Sequence, residues 1–257
     1  MKPRGERADM ARPALQRVRL ALVALALSAT SAFAGDRALL HIIGYSDNGR
    51  YFAFEEYGVQ DGSGFPYSTI YVVDLSNDKW MYGSPFHAQQ RDDQPDRPLA
   101  DVRAEALQKA QEQLKPLKIG VPADIIALIG DGERDNDAST LHFGTPSWGL
   151  PGSTQQPSLT LKLETYQAAA GDTTCAAYSL EPVKGYALTL SGRDGEREVH
   201  RDKTVPKSRG CPLDYRLYAV VQPFEWAVTE GAIVAIISMY PHGFEGPDRR
   251  FLAVPLE

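Results

Sequence analysis

The chain has 257 residues, of which 43% are hydrophobic and 23% charged, and its formal net charge at pH 7 is −6. That length allows one large domain or two small ones with a proper hydrophobic core. An acidic surface repels nucleic acid and anionic lipid headgroups, so neither is expected as a partner.

The first 34 residues have the pattern of a secretory signal peptide. Basic residues precede the apolar run Leu20–Leu27, and small residues follow up to Ala34. A membrane anchor needs about 20 apolar residues, roughly twice this run, so we predict cleavage after Ala34. Cleavage removes six basic and two acidic residues, which lowers the formal charge to −10. We expect residues 35–257 to form a single periplasmic or secreted domain without a membrane span.

A β-meander is predicted near the start of that domain. Ile42–Tyr45 and Tyr51–Tyr57 are strand-like runs joined by a turn in which Asn48 and Gly49 can both take a positive φ. A longer loop leads to a third strand at Ile70–Leu75. These turn signals set the register of the meander.

The next segment is predicted to contain a strand followed by a helical insertion near residues 98–130. Lys79–Phe86 could supply a fourth strand, and a polar linker follows. The short apolar stretch Val121–Gly130 fits either a strand or a helix, and we predict a helix. A longer helix is predicted by apolar residues at the three-and-four spacing of one helical stripe, namely Leu99, Val102, Ala106, Leu107, Ala110, Leu114 and Leu117.

The second half of the chain is predicted to be mostly β. Residues 131–157 have the composition of a long surface loop, with one possible strand at Thr140–Phe143. The fold class is therefore mainly β, α+β overall. Further strands are predicted at Leu159–Tyr166, Tyr186–Ser191, Arg197–His200, Tyr215–Gln222, Ala232–Tyr240 and Arg250–Val254.

Two units of nearly equal length follow the same order of strand, loop and strand. They run from Gly49 to Leu75 and from Gly231 to Leu256. A repeat of this kind suggests the blades of a propeller or the two halves of a β-sandwich. Because hairpins are common, two similar units can also arise by chance. Both architectures remain open at this point.

Two resemblances rest on particular residues. The run from Gly44 to Phe54, followed by I-Y-V-V-D-L, resembles the blade motif of TolB-type and other WD40-like β-propellers, although a helix and an irregular loop replace further blades in the middle of the chain. The whole domain is similar to a family of predicted secreted bacterial proteins, domain of unknown function 2259, through Gly44–Gly58 and Gly243–Val254. That resemblance implies an exported bacterial protein and supplies no activity, ligand or catalytic residue.

An acidic run is the one weak candidate for a metal site. Asp131, Glu133, Asp135 and Asp137 place four carboxylates within seven residues, which suits a hard cation such as Ca²⁺. Their order departs from the EF-hand, because glycine comes second and no acid stands at position twelve. We therefore predict a solvated acidic loop, with no metal and no cofactor.

The familiar enzyme motifs do not occur in the sequence. Glu55 and Glu56 are adjacent on a strand, so their side chains point to opposite faces and cannot form one acid–base pair. The sequence lacks G-x-S-x-G, a phosphate-binding glycine loop and C-x-x-C. The five histidines are scattered in sequence, at His41, His87, His142, His200 and His242.

The segment from Pro241 to Arg250 is a possible recognition loop. It combines an aromatic residue, both signs of charge and glycine and proline residues, a composition common in binding loops. The alternative is an ordinary turn with the aromatic ring packed inward. The candidate contact residues are His242, Phe244, Glu245, Asp248 and Arg249.

Cys175 and Cys211 are the two cysteines of the chain. Export places them in an oxidising compartment, and an even count leaves no unpaired thiol, so we predict a disulfide. A pair of buried thiols is the alternative.

These observations favour a periplasmic or secreted binding module that contacts another cell-envelope protein or a glycan through its loops. The alternatives are a hydrolase without a recognisable motif and a purely structural envelope protein. An enzyme should gather a base with a nucleophile or metal in a pocket, so convergence of His87, His142 or His242 with two carboxylates in a concave site would favour it.

Overall fold

The computed structural model describes residues 35–94, 96–131, 138–146, 154–178, 181–226 and 231–256. The predicted signal peptide lies outside these residues. The α-helices of the described residues are α1 (Leu99–Leu114) and α2 (Cys175–Tyr178). The strands are β1 (Leu39–Ser46), β2 (Tyr51–Val59), β3 (Pro66–Asp74), β4 (Lys79–Trp80), β5 (Phe86–Gln89), β6 (Ile119–Val121), β7 (Ala123–Leu128), β8 (Thr140–Pro146), β9 (Thr154–Gln167), β10 (Lys184–Gly192), β11 (Gly195–Arg201), β12 (Pro212–Pro223), β13 (Val234–Pro241) and β14 (Arg250–Pro255).

The strands form three antiparallel sheets, which we call A, B and C. Sheet A has the order β4-β3-β2-β1-β6, with β5 also paired to β3. Sheet B has the order β11-β10-β9-β8, and sheet C has the order β14-β13-β12-β7. The chain therefore crosses from sheet A to sheet C between β6 and β7. The fold is mainly β with one longer helix, as predicted.

The elements stack in four layers, in the order α1, sheet A, sheet C, sheet B. One apolar cluster joins α1 to sheet A, a second joins sheet A to sheet C, and a third joins sheet C to sheet B. Sheet C is thus buried on both faces, which explains why β13 is apolar on both faces from Val234 to Met239 apart from the buried Ser238. Val234 and Ile236 face sheet A, while Ala235 and Ile237 face sheet B.

The predicted turn between β1 and β2 is present, with one difference. Gly49 has φ +69°, whereas Asn48 keeps an ordinary negative φ. The Gly49 amide donates to the Ser46 carbonyl at 2.9 Å. A Cβ at Gly49 would lie 2.7 Å from the Trp226 ring, so both backbone conformation and space favour glycine here.

The long helix is present at the predicted place, but its buried stripe is narrower than predicted. Val102, Ala106, Ala110 and Leu114 are buried against sheet A at a strict four-residue spacing. The sequence spacing predicts Leu107 in the stripe, but the structure shows Leu107 exposed on the outer face. Small alanine side chains let the helix approach the sheet closely.

The prediction of a helix at Val121–Gly130 is wrong. This segment forms the end of β6 and the whole of β7, and β7 pairs with β12 from Ala123 to Leu128. The partner strand is distant in sequence, so no local pattern signals the pairing. The predicted single strand at Lys79–Phe86 is likewise two short strands, β4 and β5, on one edge of β3.

The two units of similar length are both hairpins, β2–β3 and β13–β14, but they belong to different sheets. The likeness to propeller blades has no support in the fold. Sheet A has six strands and includes β6, which follows α1 in sequence, and sheet C includes β7. Neither sheet is therefore a four-stranded meander of consecutive strands. The two hairpins instead pack face to face.

A candidate binding cleft where three sheets meet

A cleft of about 200 Å³ lies where the edges of the three sheets converge. Sheet A contributes the turn before β4 and β4 itself, sheet B contributes β10 and the loop after β11, and sheet C contributes β14. The residues that matter for its chemistry are Asp78, Lys79, Trp80, Tyr186, Ser208 and Arg209. Residues far apart in sequence thus line a single concave site.

A buried carboxylate, Asp202, organises one wall of the cleft. It accepts hydrogen bonds from one terminal nitrogen of Arg209, at 2.7 and 2.9 Å, and from the Tyr186 amide at 3.1 Å. The guanidinium also lies over the Tyr186 ring, 4.9 Å from the ring centroid. Burial raises the pKa of Asp202, but His200 and Arg209 outweigh it and the net shift is downward. The carboxylate is therefore ionised and fixes Arg209 in place.

His200 is held between two carboxylates beside the same cleft. Its Nε2 lies 3.0 Å from Asp202 Oδ1, and its Nδ1 lies 3.8 Å from Asp78 Oδ2. Burial lowers the pKa of His200, yet the two carboxylates raise it to about 9. The ring is therefore charged at neutral pH. Because both nitrogens face carboxylates, neither is left to take a proton from a nucleophile.

Trp80 ends a row of aromatic rings that crosses sheet A. Neighbouring rings in the row have centroids 4.7 to 6.1 Å apart, and the Trp80 ring lies 5.1 Å from Tyr71. These contacts hold the indole at the rim while part of it stays exposed. The row consists of Tyr45, Phe52, Phe54, Tyr71 and Trp80.

The acidic run predicted as a weak metal candidate is described at Asp131 alone, because Glu133, Asp135 and Asp137 lie outside the described residues. Asp131 forms ion pairs with Arg37, at 3.0 Å, and with Arg249. Within the described ranges, no group of three or more histidine, cysteine or acidic side chains could hold a metal ion. Asp131 is occupied as a link between chain segments.

The predicted recognition loop separates into an exposed tip and a buried base. Phe244 is 82% exposed at the tip, beside His242 and Glu245, so the ring does not pack inward. Arg249 is 4% exposed and donates to the Ala38 carbonyl, and Asp248 accepts from the Asp36 amide at 2.9 Å. Arg249 and Asp248 thus make contacts within the fold.

The two adjacent glutamates face opposite layers, as their spacing predicts. Glu55 binds Arg103 of α1 through two hydrogen bonds of 2.7 and 2.8 Å. Glu56 points to sheet C and accepts from the Phe251 amide and from the Tyr71 hydroxyl at 3.2 Å. Neither glutamate lines the cleft.

The predicted disulfide is present between Cys175 and Cys211. It lies in a small apolar cluster with Val183 and Val205, outside the three main cores. It ties α2 to the loop before β12. The bond therefore holds the excursion between β9 and β10 against the rest of the domain.

Comparison with known proteins places this fold in a family. A family model described as "Predicted secreted protein (DUF2259)" matches residues 53–257. The chain belongs to that family. No curated protein matches it.

The DUF2259 description agrees with the periplasmic or secreted location predicted from the sequence. None of the helices in the described part of this DUF2259 protein is long and apolar enough to cross a membrane.

Sequence reasoning missed the cleft of this DUF2259 protein. His87 contacts Thr69 and His142 contacts Thr160, whereas the histidine that meets two carboxylates is His200. His200 lies in β11 and Asp202 follows the end of that strand, and this two-residue spacing is a usable signal, since residues two apart in an extended chain share a face. The contributions of Asp78, Lys79 and Arg209 depend on how the sheets stack.

Proposed function

We propose that this protein is an exported binding module that takes an acidic sugar unit of a glycan in the three-sheet cleft. The observation that carries the proposal is the convergence of Trp80, Lys79 and Arg209 on one small concave site. Aromatic walls with a few fixed polar groups are typical of small-molecule sites. The protein would therefore select ligands by charge and by a flat apolar face.

The charge of the cleft favours an anionic ligand. Lys79, Arg209 and Asp78 line the cleft, which leaves one net positive charge. The ion pair of His200 with Asp202 lies beside the cleft and adds no net charge. The chain as a whole carries −6, so the cleft is a local exception. A carboxylate-bearing sugar matches both the positive charge and the indole ring.

The size of the cleft limits the ligand to a small unit. A volume of about 200 Å³ lies below the ~300–1,000 Å³ typical of sites for drug-sized ligands. One sugar unit at a chain end or branch is of this order. Adjacent sugars would extend over exposed surface.

Binding is favoured over hydrolysis by the state of His200. Its two nitrogens are directed at Asp202 and Asp78, and its pKa of about 9 keeps it protonated at neutral pH. A general base must be unprotonated and within reach of the proton that it abstracts. The ion-paired side chains of Asp78, His200 and Asp202 instead form a fixed scaffold that positions Arg209.

Calorimetric titration with a galacturonate trisaccharide and with neutral maltotriose tests the proposal. The acidic trisaccharide should bind, and Trp80→Ala should weaken its binding at least about tenfold, or 1.4 kcal/mol. Tyr82→Ala is the matched control, because Tyr82 is 98% exposed two residues away and lies outside the cleft.

Three outcomes would count against the proposal. Equal affinity for the two saccharides would show that charge does not select the ligand. Equal effects of Trp80→Ala and Tyr82→Ala would show that the ligand does not bind in the cleft. Release of shorter saccharides during the incubation would favour the hydrolase alternative.

A further inference from the structure

The outer edge of sheet A is only partly covered. β6 pairs with β1 at Tyr45 and Ser46, at one end of that strand. Along Leu39–Ile43, no strand of the described chain pairs with the edge that faces away from β2. The backbone amides and carbonyls directed outward there are open to another strand.

Sheet C extends beyond this edge. On β7, Ile125 pairs with Val221 and Leu128 pairs with Ala219, and both partners belong to the core between sheets A and C. Ile125 and Leu128 therefore lie on the face that sheet A should cover. They are 51% and 58% exposed. Sheet A is one strand too narrow to cover sheet C.

The resulting groove has a volume of about 430 Å³. Side chains from both faces of β1 line it, since Leu40 and Ile42 alternate with His41 and Ile43. The groove therefore follows the edge of the strand rather than one of its faces. Its floor is the apolar surface of β7 and β12.

We propose that this edge groove binds an extended segment of a partner protein, which adds a strand to sheet A beside β1. The added strand lies beside β1 in line with β6, which occupies one end of the same edge. It pairs with Leu39–Ile43 over about five residues. Its inward side chains cover Ile125 and Leu128. Main-chain hydrogen bonds provide affinity and the floor selects alternating apolar residues.

The charge of the groove defines the chemistry of the segment. The described residues that line the groove include two ionisable side chains, His41 and the phenol of Tyr218. The Nδ1 of His41 lies 3.0 Å from Glu55. The floor carries no charge to match an ionised side chain. The inward positions of the partner segment are therefore uncharged, because an unpaired charge over Ile125 and Leu128 would be costly.

A second copy of this chain does not fit the same position. In another copy, β1 already has its own β12 and β7 beneath it. Those strands would need the space that Ile125 and Leu128 of the first copy occupy. The occupant is therefore a strand without a second layer of its own, such as a flexible segment or terminus.

Fluorescence anisotropy with a labelled, capped seven-residue peptide of alternating valine and threonine tests this inference. The purified protein should bind the peptide saturably. The same peptide with every amide N-methylated keeps its side chains and loses its donors, and it should not bind. Ile125→Arg should weaken binding at least about tenfold.

Leu107→Arg is the control, because Leu107 is another exposed apolar residue and lies on the outer face of α1. Leu128→Arg provides a second groove variant if Ile125→Arg lowers the melting temperature. Absence of saturable binding, equal binding of the N-methylated peptide, or equal effects of the groove and control variants would each overturn the proposal. A dimer in sedimentation that Ile125→Arg dissociates would assign the edge to a second copy and overturn it as well.

Discussion

At the scale of single residues, Glu56 is the most strongly perturbed acid of the core. It is 1% exposed between sheets A and C. Burial raises the pKa of Glu56 to about 7, against the opposing effects of the Phe251 amide and the charge of Arg250. Asp36, which binds Arg250 at 2.7 Å, adds repulsion in the same direction as burial. Glu56 thus links the two hairpins through a carboxyl that resists ionisation.

The raised pKa predicts a pH dependence of stability. Above the pKa of the unfolded chain, near 4.5, the folded protein holds a proton that the unfolded chain has lost. The free energy of unfolding should therefore fall as the pH rises to about 7 and then level off. The expected loss from this group is roughly 3 kcal/mol.

Urea unfolding at pH 5 and pH 8 tests this prediction with Glu56→Gln, which keeps an acceptor for the Phe251 amide. The difference in unfolding free energy between the two pH values should shrink in the variant. Glu112→Gln, at an exposed position of α1, should leave it as in the wild type. An unchanged pH difference in Glu56→Gln would contradict the role assigned to Glu56.

At the scale of elements, α1 supplies a test of the layer order. Val102 is fully buried against sheet A, and Leu107 is exposed on the opposite face. Val102→Asp should lower the free energy of unfolding by more than about 3 kcal/mol, because it buries an unpaired charge. Leu107→Asp should change it by less than about 0.5 kcal/mol. Equal effects in urea unfolding would refute the assignment of the buried face.

The disulfide provides a second prediction at this scale. Cys175 and Cys211 are 36 residues apart in sequence, and the chain-entropy account assigns such a loop about 4 kcal/mol. Protein from an oxidising compartment should show no free thiol on titration in denaturant. Replacing both cysteines by serine should lower the melting temperature. Two titratable thiols in the native protein would contradict the pairing.

The elements also show how far the sequence alone can lead. The spacing of Val102, Ala106 and Ala110 is a local property, so the helix could be predicted. The strand β7 could not be predicted, because its apolar run suits a helix as well as a strand. Only the pairing with β12 decides between strand and helix. Leu107 also fits the three-and-four spacing because it follows Ala106 directly, so spacing alone places Leu107 on the wrong face of the helix.

The candidate site was less predictable than the elements. The candidate residues of the acidic loop and of the Pro241–Arg250 loop can be recognised from the sequence because they lie close together in it. The cleft is assembled from β4, β10, β14 and the loop after β11, which meet only once three sheets have stacked. No local pattern of residues encodes that arrangement.

At the scale of the whole molecule, export should yield a chain that begins at Gly35. Asp36 is buried at the start of the described domain and binds Tyr67 at 2.9 Å and Arg250 at 2.7 Å. A Cβ at Gly35 would collide with the carbonyl of Pro247, so this position requires glycine. The first residues of the new chain would therefore be anchored to the domain by these contacts.

Intact-mass measurement of protein recovered from the periplasm of a Gram-negative host tests this prediction. The mass should correspond to residues 35–257 with the disulfide formed. A mass that includes residues 1–34, or recovery with the membrane fraction, would contradict cleavage after Ala34.

The indole of Trp80 reports most directly on whether the three-sheet cleft binds an acidic sugar. The chain has three tryptophans, and Trp80→Phe assigns the Trp80 indole N–H signal in an ¹⁵N–¹H correlation spectrum. On titration with the galacturonate trisaccharide, the Trp80 signal should shift in a saturable way while the Trp226 signal stays in place. A Trp80 signal that does not move while the saccharide binds would show that the ligand occupies another site and would contradict the account.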